Sequence, residues 1–277
     1  IALACRENGY QVVIEYPYGD WRADVFAEKS GAKLAFEVQW SAQTLAETER
    51  RHERYKRDHV RDCWFFRKMP HDYAPNHEVA AFPLAVDEGE EIGVHFKRKI
   101  NGDLNSAEIY SLRDFAGYLL NSKIRFCTHG KAKQAQMLEI VFFYKQCYRC
   151  KQPAYFYYVT NPVSDCGMEL HLSAAQRFKL GFDSDVRGAV QQFLNSDEGK
   201  LIHVSENGDR FSCAHCGAAQ KESHLIEWTD AVRRGMGYPS KQIKRQITLA
   251  TAVTVTFPHW CFPQNDEFCG EKLPLWD

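Results

Sequence analysis

The chain has 277 residues and a mass of 32.0 kDa, enough for two modest domains, and its 44% hydrophobic and 26% charged content excludes a disordered protein. The formal net charge is -1, so nucleic-acid binding would need local basic patches rather than a global positive field. No apolar run approaches a membrane span and no signal peptide is recognisable, so we expect no membrane partner.

The first forty residues predict a helix followed by three short strands. The helix ends at Asn8-Gly9, where glycine commonly forms a left-handed cap. The strands are expected over residues 11–16, 22–27 and 33–39. A turn centred between Ser30 and Gly31 would place Asp24 opposite Glu37 on the same face of the hairpin.

Asp24 and Glu37 would then be two carboxylates side by side, which repel each other unless a positive charge lies between them. Mg²⁺ or Mn²⁺ would supply that charge, and either ion suits phosphodiester hydrolysis. The alternation of strand residues puts Arg22 and Gln39 on the same polar face, with Phe36 pointing into a core. In the alternative interpretation, both carboxylates are solvated and Arg22 is their salt-bridge partner.

A second helix and a fourth strand follow. Thr44-x-x-Glu47 predicts a capping box that begins a helix running to about Asp58, and the apolar run at residues 63–66 predicts a buried parallel strand. The helix is rich in basic residues: Arg50, Arg51, Arg54, Lys56, Arg57 and Arg61. These could form a solvated face with i,i+4 ion pairs, although Arg51 and Tyr55 share one face on which Arg51 could clamp a phosphate or a carboxylate. Tyr55 could equally pack in the core.

Three short motifs in this region occur in a fixed order: Arg22-Ala-Asp24-Val, Phe36-Glu37-Val-Gln39-x-Ser41 and Arg51-x-x-x-Tyr55. Together they resemble the nuclease region of the competence protein CoiA-like family, which is similar to the PD-(D/E)xK nuclease superfamily. The resemblance covers roughly residues 1–70 and implies an α/β, restriction-endonuclease-like core, with a central mixed sheet flanked by helices.

The resemblance also implies a set of site residues. Asp24 and Glu37 would hold Mg²⁺ or Mn²⁺, with the Val38 carbonyl as a further ligand. Glu15 matches an additional acidic residue of the superfamily and would assist a second metal ion or the helix that packs there. Gln39 stands where the superfamily usually has Lys, so it could orient the attacking water but could not supply a positive charge.

The implied activity is Mg²⁺-dependent hydrolysis of DNA in competence, recombination or defence against foreign DNA, with a homo-oligomer or a protein of those processes as partner. Phosphate contacts would come from Arg22, Arg51, Arg54 and Tyr55. The alternative is a catalytically weak or inactive subunit that keeps the nuclease fold and binds nucleic acid.

Residues 1–130 are expected to form the nuclease domain. Residues 69–100 are predicted to be largely a linker with short strands, including one over residues 92–98. An Asn101-Gly102 turn and an amphipathic helix over residues 111–120 would complete the domain.

Residues 131–277 are expected to form an α+β region that contains a zinc ribbon. Two Cys-x-x-Cys pairs, at Cys147, Cys150, Cys213 and Cys216, have the spacing of two knuckles that share one structural Zn²⁺. Buried thiols without metal and a redox dithiol are the alternatives. Strands over residues 154–160 and 247–257 and a helix over residues 184–194 accompany the knuckles, and zinc-binding cysteines indicate a reducing, cytoplasmic location.

The other cysteines carry weaker signals. Cys5, Cys63 and Cys166 are interpreted as buried small hydrophobic residues, and Cys127 with His129 as a weak ligand pair. The C-terminal group of His259, Cys261 and Cys269 could form a second metal site or simply pack in a loop.

Overall fold

A computed structural model describes residues 1–86, 92–97, 107–236, 239, 241–262, 269, 272–273 and 275. The chain forms two compact units: unit 1 contains Ile1–Gly130, Asp165–Met168 and Thr256–Asp277, and unit 2 contains Lys131–Ser164 and Glu169–Val255. The first division falls at the domain boundary expected from the sequence. The two later segments of unit 1, however, lie in the stretch that had been assigned wholly to the C-terminal region.

Unit 1 is built on a seven-stranded mixed sheet in which the strands are neighbours in chain order. They are β1 (Gln11–Tyr18), β2 (Trp21–Lys29), β3 (Ala32–Gln39), β4 (Arg61–Phe66), β5 (Ala80–Val86), β6 (Ile92–Lys97) and β7 (Ala107–Ser111). Strand β4 pairs in parallel with β3 and β5, and the other pairs are antiparallel. Helices α1 (Ala2–Glu7), α2 (Leu45–Arg57) and α3 (Leu112–Leu120) accompany this sheet, which confirms the α/β class.

The β2–β3 hairpin has the predicted register, with Val25 opposite Phe36 and Lys29 opposite Ala32. Ser30 and Gly31 form the turn with φ angles of +51° and +86°. Two consecutive left-handed residues are typical of the tight turns that match the twist of paired strands. A local turn signal was therefore sufficient to place Asp24 next to Glu37.

Helix α2 begins and ends where the sequence indicated. The hydroxyl of Thr44 accepts a hydrogen bond from the Glu47 amide at 3.2 Å, and Asp58 caps the other end. The Glu47 side chain pairs with Arg50 at 2.5 Å. The ion pairs expected on a solvated face of this helix were i,i+4 pairs, whereas this pair spans three residues, and Arg51 and Arg57 bind Glu37 and Asp20 instead.

The sheet is covered on both faces. Phe36 and Phe65 lie in one hydrophobic cluster with residues of α1 and α3, whereas Trp64 and Phe66 lie in a second cluster with Tyr55 of α2. Burial on both faces explains the continuous apolar sequence of β4. It also means that the face carrying Glu37 is not the solvated surface that the alternative interpretation required.

In the segment expected to be largely a linker, the strand predicted over residues 92–98 is confirmed as β6, and β5 is a further strand of the sheet that was not predicted. All of β5 except Pro83 and Val86 is buried. Helix α3 matches the helix expected over residues 111–120, with Ser111 as its cap. The predicted Asn101-Gly102 turn lies outside the described residues.

The remaining strands form three smaller sheets. Strands β8 (Arg125–Lys131), β14 (Thr254–Cys261) and β15 (Lys272–Leu273) form one, in the order β14-β8-β15. Strands β9 (Ala135–Gln146), β10 (Pro153–Val159) and β13 (Lys241–Thr248) form another, and β11 (Ser205–Glu206) pairs with β12 (Phe211–Ser212). Helices α4 (Ala174–Gly181), α5 (Ser184–Leu194) and α6 (Glu222–Arg233) belong to unit 2. None of the helices in the described parts of the chain is long and apolar enough to span a membrane.

The single strand predicted over residues 247–257 is wrong. Strand β13 ends at Thr248, and β14 starts at Thr254 in a different sheet. Between them, the backbone amides of Ala250 and Thr251 donate to the Asp183 carboxylate at 3.0 and 3.1 Å. A distant side chain thus takes the hydrogen bonds that a continuous strand would have used.

Candidate functional site

An open polar cleft lies at the end of the β2–β3 hairpin and beside α2, with a volume of about 600 Å³. It is lined by Gly19, Asp20, Trp21, Arg22, Asp24, Glu37, Val38, Gln39, Arg51 and Arg54. Seven of the residues proposed from the sequence therefore meet in one place. Of the other two, Tyr55 is buried at the Glu37 carboxylate, and Glu15 is not among the lining residues.

The pairing between β2 and β3 ends next to the two carboxylates, Asp24 and Glu37. The β2–β3 ladder ends at Val25 opposite Phe36, so Asp24 and Glu37 occupy the next position. There the Asp24 carboxylate accepts a hydrogen bond from the backbone amide of Val38 at 2.7 Å. This contact fixes Asp24 against β3 at the mouth of the cleft.

Glu37 is only 1% exposed, and side chains from α2 hold both of its carboxylate oxygens. The Arg51 guanidinium binds Oε2 and the Tyr55 hydroxyl donates to Oε1. The i,i+4 spacing of Arg51 and Tyr55 places both on the helix face that covers the sheet. Arg51 is therefore a carboxylate clamp in this structure, one of the two roles that the sequence suggested.

Burial, together with a smaller effect of the Asp24 charge, raises the pKa of Glu37 to about 7 against the opposing effects of Arg51 and Tyr55. Burial and the charge of Glu37 also raise the pKa of Tyr55, so this hydroxyl keeps its proton and acts as a donor. The site thus contains a carboxylate whose loss of hydration is only partly compensated by its protein partners.

The raised pKa predicts a pH-dependent cost to stability in metal-free buffer. Because the folded-state pKa of about 7 lies above the ordinary value of 4.5, the folded protein binds more protons between these values, and its stability falls as the pH rises. Charging Glu37 in the folded protein costs on the order of 3 kcal/mol. The melting temperature of Glu37→Gln in EDTA should therefore rise relative to the wild type between about pH 5 and about pH 8. A difference that does not change with pH would contradict this assignment.

A buried polar group behind the cleft was missed by the sequence analysis. Asp62, which is 0% exposed, accepts a hydrogen bond from the Trp64 indole, and its other oxygen lies 2.7 Å from His52 Nδ1. The Arg51 guanidinium stacks 4.7 Å from the Trp64 ring centroid. These contacts join α2 to β4 and hold Arg51 in place. Asp62 is a charged residue near the start of the buried strand β4, and this was the one feature of the sequence from which the buried polar group could have been predicted.

Gln39 lies between Arg51 and the loop that follows β3. Its amide nitrogen donates to the Ser41 hydroxyl at 3.1 Å, and its oxygen is 3.5 Å from Arg51 Nη1. The amide is thus oriented at the edge of the cleft, where it could bond a water or a phosphate oxygen.

Glu15 and Arg22 form an exposed salt bridge of 2.9 Å, with side chains that are 53% and 68% exposed. Glu15 has a φ of +54°, at the position where the β1–β2 ladder passes from Ile14 opposite Val25 to Tyr16 opposite Ala23. The ladder therefore places Glu15 opposite Asp24, but the Glu15 carboxylate forms its salt bridge with Arg22 at the protein surface. Arg22 lines the cleft, and its carbonyl oxygen lies 3.1 Å from the Tyr55 hydroxyl oxygen.

A second candidate site lies in unit 2, where the two Cys-x-x-Cys pairs come together. Cys147 Sγ lies 3.8 Å from Cys216 Sγ, and Cys150 Sγ lies 3.6 Å from Cys213 Sγ. A tetrahedral Zn²⁺ with Zn–S bonds of ~2.3 Å has S···S edges of about 3.8 Å. The four thiols can therefore hold a metal ion such as zinc.

Both knuckles have the same backbone form. The amide of Lys151 bonds to the Cys147 carbonyl, and the amide of Gly217 bonds to the Cys213 carbonyl, at 3.0 and 2.8 Å. Lys151 and Gly217 have φ angles of +61° and +66°, so both knuckles contain a left-handed turn. The long insertion between them contains α4 and α5.

Comparison of the chain with known protein families, with curated proteins and with solved structures finds no match. The functional interpretation therefore depends on the geometry of the two sites.

Proposed function

We propose that the chain is a metal-dependent nuclease that hydrolyses phosphodiester bonds of DNA, with a catalytic centre similar to that of the CoiA-like and PD-(D/E)xK nucleases. The observation that carries the proposal is the buried Glu37 carboxylate, with its raised pKa, beside Asp24 at an open cleft that three arginines line. Two carboxylates and a basic rim form a suitable binding place for a divalent cation and a phosphate.

The donor set fits Mg²⁺ or Mn²⁺, because both ions take carboxylate and carbonyl oxygens and keep several waters. Asp24 and Glu37 would hold the ion, with the Val38 carbonyl as a further ligand. The bound ion would offset the lost hydration of Glu37 and supply Lewis-acid stabilisation of charge on phosphate oxygens. Gln39 would orient a water, because its amide is already fixed by Ser41.

The arginines would bind the nucleic-acid backbone. Arg22 and Arg54 line the cleft, and Arg54 Nη1 donates to the Asp20 carbonyl at 3.1 Å, which steadies its guanidinium at the rim. Arg51 would position Glu37 and reach a phosphate when the carboxylate binds the ion. In this proposal Glu15 sets the position of Arg22 through their salt bridge, rather than binding a second ion.

The Cys147, Cys150, Cys213 and Cys216 site would be a structural Zn²⁺ site that stiffens unit 2 and supports contacts to DNA. A four-thiolate site requires reduced cysteines, so this part of the proposal includes a reducing compartment such as the cytoplasm.

One observation favours a second candidate function, a nuclease-fold subunit that binds nucleic acid without turnover. Arg51 and Tyr55 already engage both oxygens of Glu37, and Gln39 cannot supply the cationic field of a lysine. Such a subunit would act in a homo-oligomer or with a recombination or defence partner.

Cleavage assays with the full chain separate the two functions. Labelled single-stranded DNA, double-stranded DNA and RNA are incubated with Mg²⁺ or Mn²⁺, and matched reactions contain EDTA. The nuclease proposal expects DNA cleavage that EDTA abolishes. Binding of DNA without cleavage under every metal condition would support the inactive subunit instead.

A further inference from the structure

Unit 1 contains a second group of metal-binding side chains, formed by Cys166, His259, Cys261 and Cys269. All four residues are buried, and one ligand atom of each lies within 4.8 Å of those of the others. They come from three separate stretches of the chain, so their convergence is a property of the fold and not of a local sequence motif.

Strand β14 presents two of these ligands. His259 and Cys261 are two residues apart and therefore share one face of the strand, whereas Trp260 between them packs into the main hydrophobic cluster of unit 1. Cys261, Cys166 and Cys269 belong, together with Cys127, to a separate buried cluster, with Met168 packed against it. Because successive side chains of β14 point to opposite faces, Trp260 lies in the core and its two neighbours lie in the candidate site.

The His259 ring is already oriented as a ligand. Its Nδ1 lies 2.7 Å from the Phe257 carbonyl, which can only accept, so Nδ1 carries the proton. The lone pair on Nε2 then faces Cys166 Sγ at 3.4 Å. A metal-bound histidine usually donates its other N–H to such a carbonyl. Sulfur and nitrogen ligands of one tetrahedral Zn²⁺ are about 3.6 Å apart, close to the observed separation.

We propose that Cys166, His259, Cys261 and Cys269 form a second, structural Zn²⁺ site with Cys₃His ligands. The site joins Asp165–Met168 to the C-terminal segment of unit 1 and requires neither the nuclease activity nor the four-cysteine site. Three thiolates and one imidazole suit zinc, and a closed set of four protein ligands is typical of structural sites. An iron–sulfur cluster would place iron and sulfide between the thiolates and hold them farther apart.

Metal content measured on the purified full chain tests the proposal without reference to activity. Native mass spectrometry of the wild type should show two zinc ions per chain, one for each group. A folded chain without zinc, a Cys213→Ser chain that has lost all of its zinc, or a disulfide within this group would overturn the proposal. Iron in place of zinc would overturn the choice of metal.

Variants then assign the second ion to its ligands. His259→Ala should retain one zinc ion, whereas His259→Cys should retain two because a thiolate can replace the imidazole. The matched control is Cys127→Ala, which removes a thiol hydrogen-bonded to Cys261 but outside the four proposed ligands, and should retain two. Full zinc content in a folded His259→Ala chain would contradict the ligand set, as would the loss of one ion from the Cys127 variant.

Discussion

The Glu37→Gln substitution is expected to abolish metal-dependent DNA cleavage and leave the chain folded. Glutamine keeps the size of the side chain and an oxygen that can accept from Tyr55, but it removes the negative charge that would hold the ion. Loss of several kcal/mol of transition-state stabilisation corresponds to a fall in kcat of at least about 100-fold. Asp24→Asn should have a similar effect, since the two carboxylates would share one ion.

A matched control lies on the same hairpin. Glu28 is opposite Lys33 near the turn, whereas Asp24 and Glu37 lie at the other end of the ladder. Glu28→Gln makes the same chemical change away from the cleft and should leave cleavage unchanged. If Glu37→Gln and Asp24→Asn both cleave DNA like the wild type, the carboxylate pair is not the catalytic centre.

The Cys213→Ser substitution is expected to remove one zinc ion and loosen unit 2. Apparent binding of structural zinc contributes on the order of 10 kcal/mol, and the site does not exist in the unfolded chain. The loss should exceed that of a typical core substitution, which costs a few kcal/mol. Hydrogen exchange should show reduced protection around both knuckles and along β9, the strand that leads to Cys147.

Cys5→Ala provides the comparison for this zinc prediction. Cys5 is fully buried but lies outside both groups of metal-binding side chains, so this variant should keep the full zinc content. A Cys213→Ser protein with unchanged zinc content and unchanged protection would refute the four-cysteine site. Those cysteines would then be thiols without a metal, with Cys147 and Cys213 buried and Cys150 and Cys216 partly exposed.

Local sequence signals predicted the part of the site that local geometry determines. The Ser30-Gly31 turn set the hairpin register and therefore brought Asp24 level with Glu37. The Thr44 cap and the i,i+4 spacing of Arg51 and Tyr55 defined the helix face above them. In each case the decisive interactions join residues close together in the chain.

Long-range packing determined what the sequence could not show. Glu37 is buried because α2 covers the sheet, and that burial, with the resulting rise in its pKa, depends on contacts between separate elements. Cys166 meets β14 across a long stretch of chain, so no spacing rule could associate it with His259.

The return of the C-terminal segment to unit 1 has a practical consequence. A truncation after Gly130 would remove Trp260 from the core of unit 1 and should not be used to isolate that unit.

Binding of Mn²⁺ to the Asp24–Glu37 pair can be measured directly by electron paramagnetic resonance, in chains whose thiol sites are already filled with zinc. The titration is best done near pH 8, above the raised pKa of Glu37, so that the carboxylate is charged. Hard oxygen ligands favour Mn²⁺, whereas thiolates retain Zn²⁺, so the two kinds of site remain distinct. We expect the wild type and Glu28→Gln to bind Mn²⁺ equally, and Asp24→Asn and Glu37→Gln to lose that binding. Equal Mn²⁺ binding by all four proteins would show that the carboxylate pair does not hold the ion.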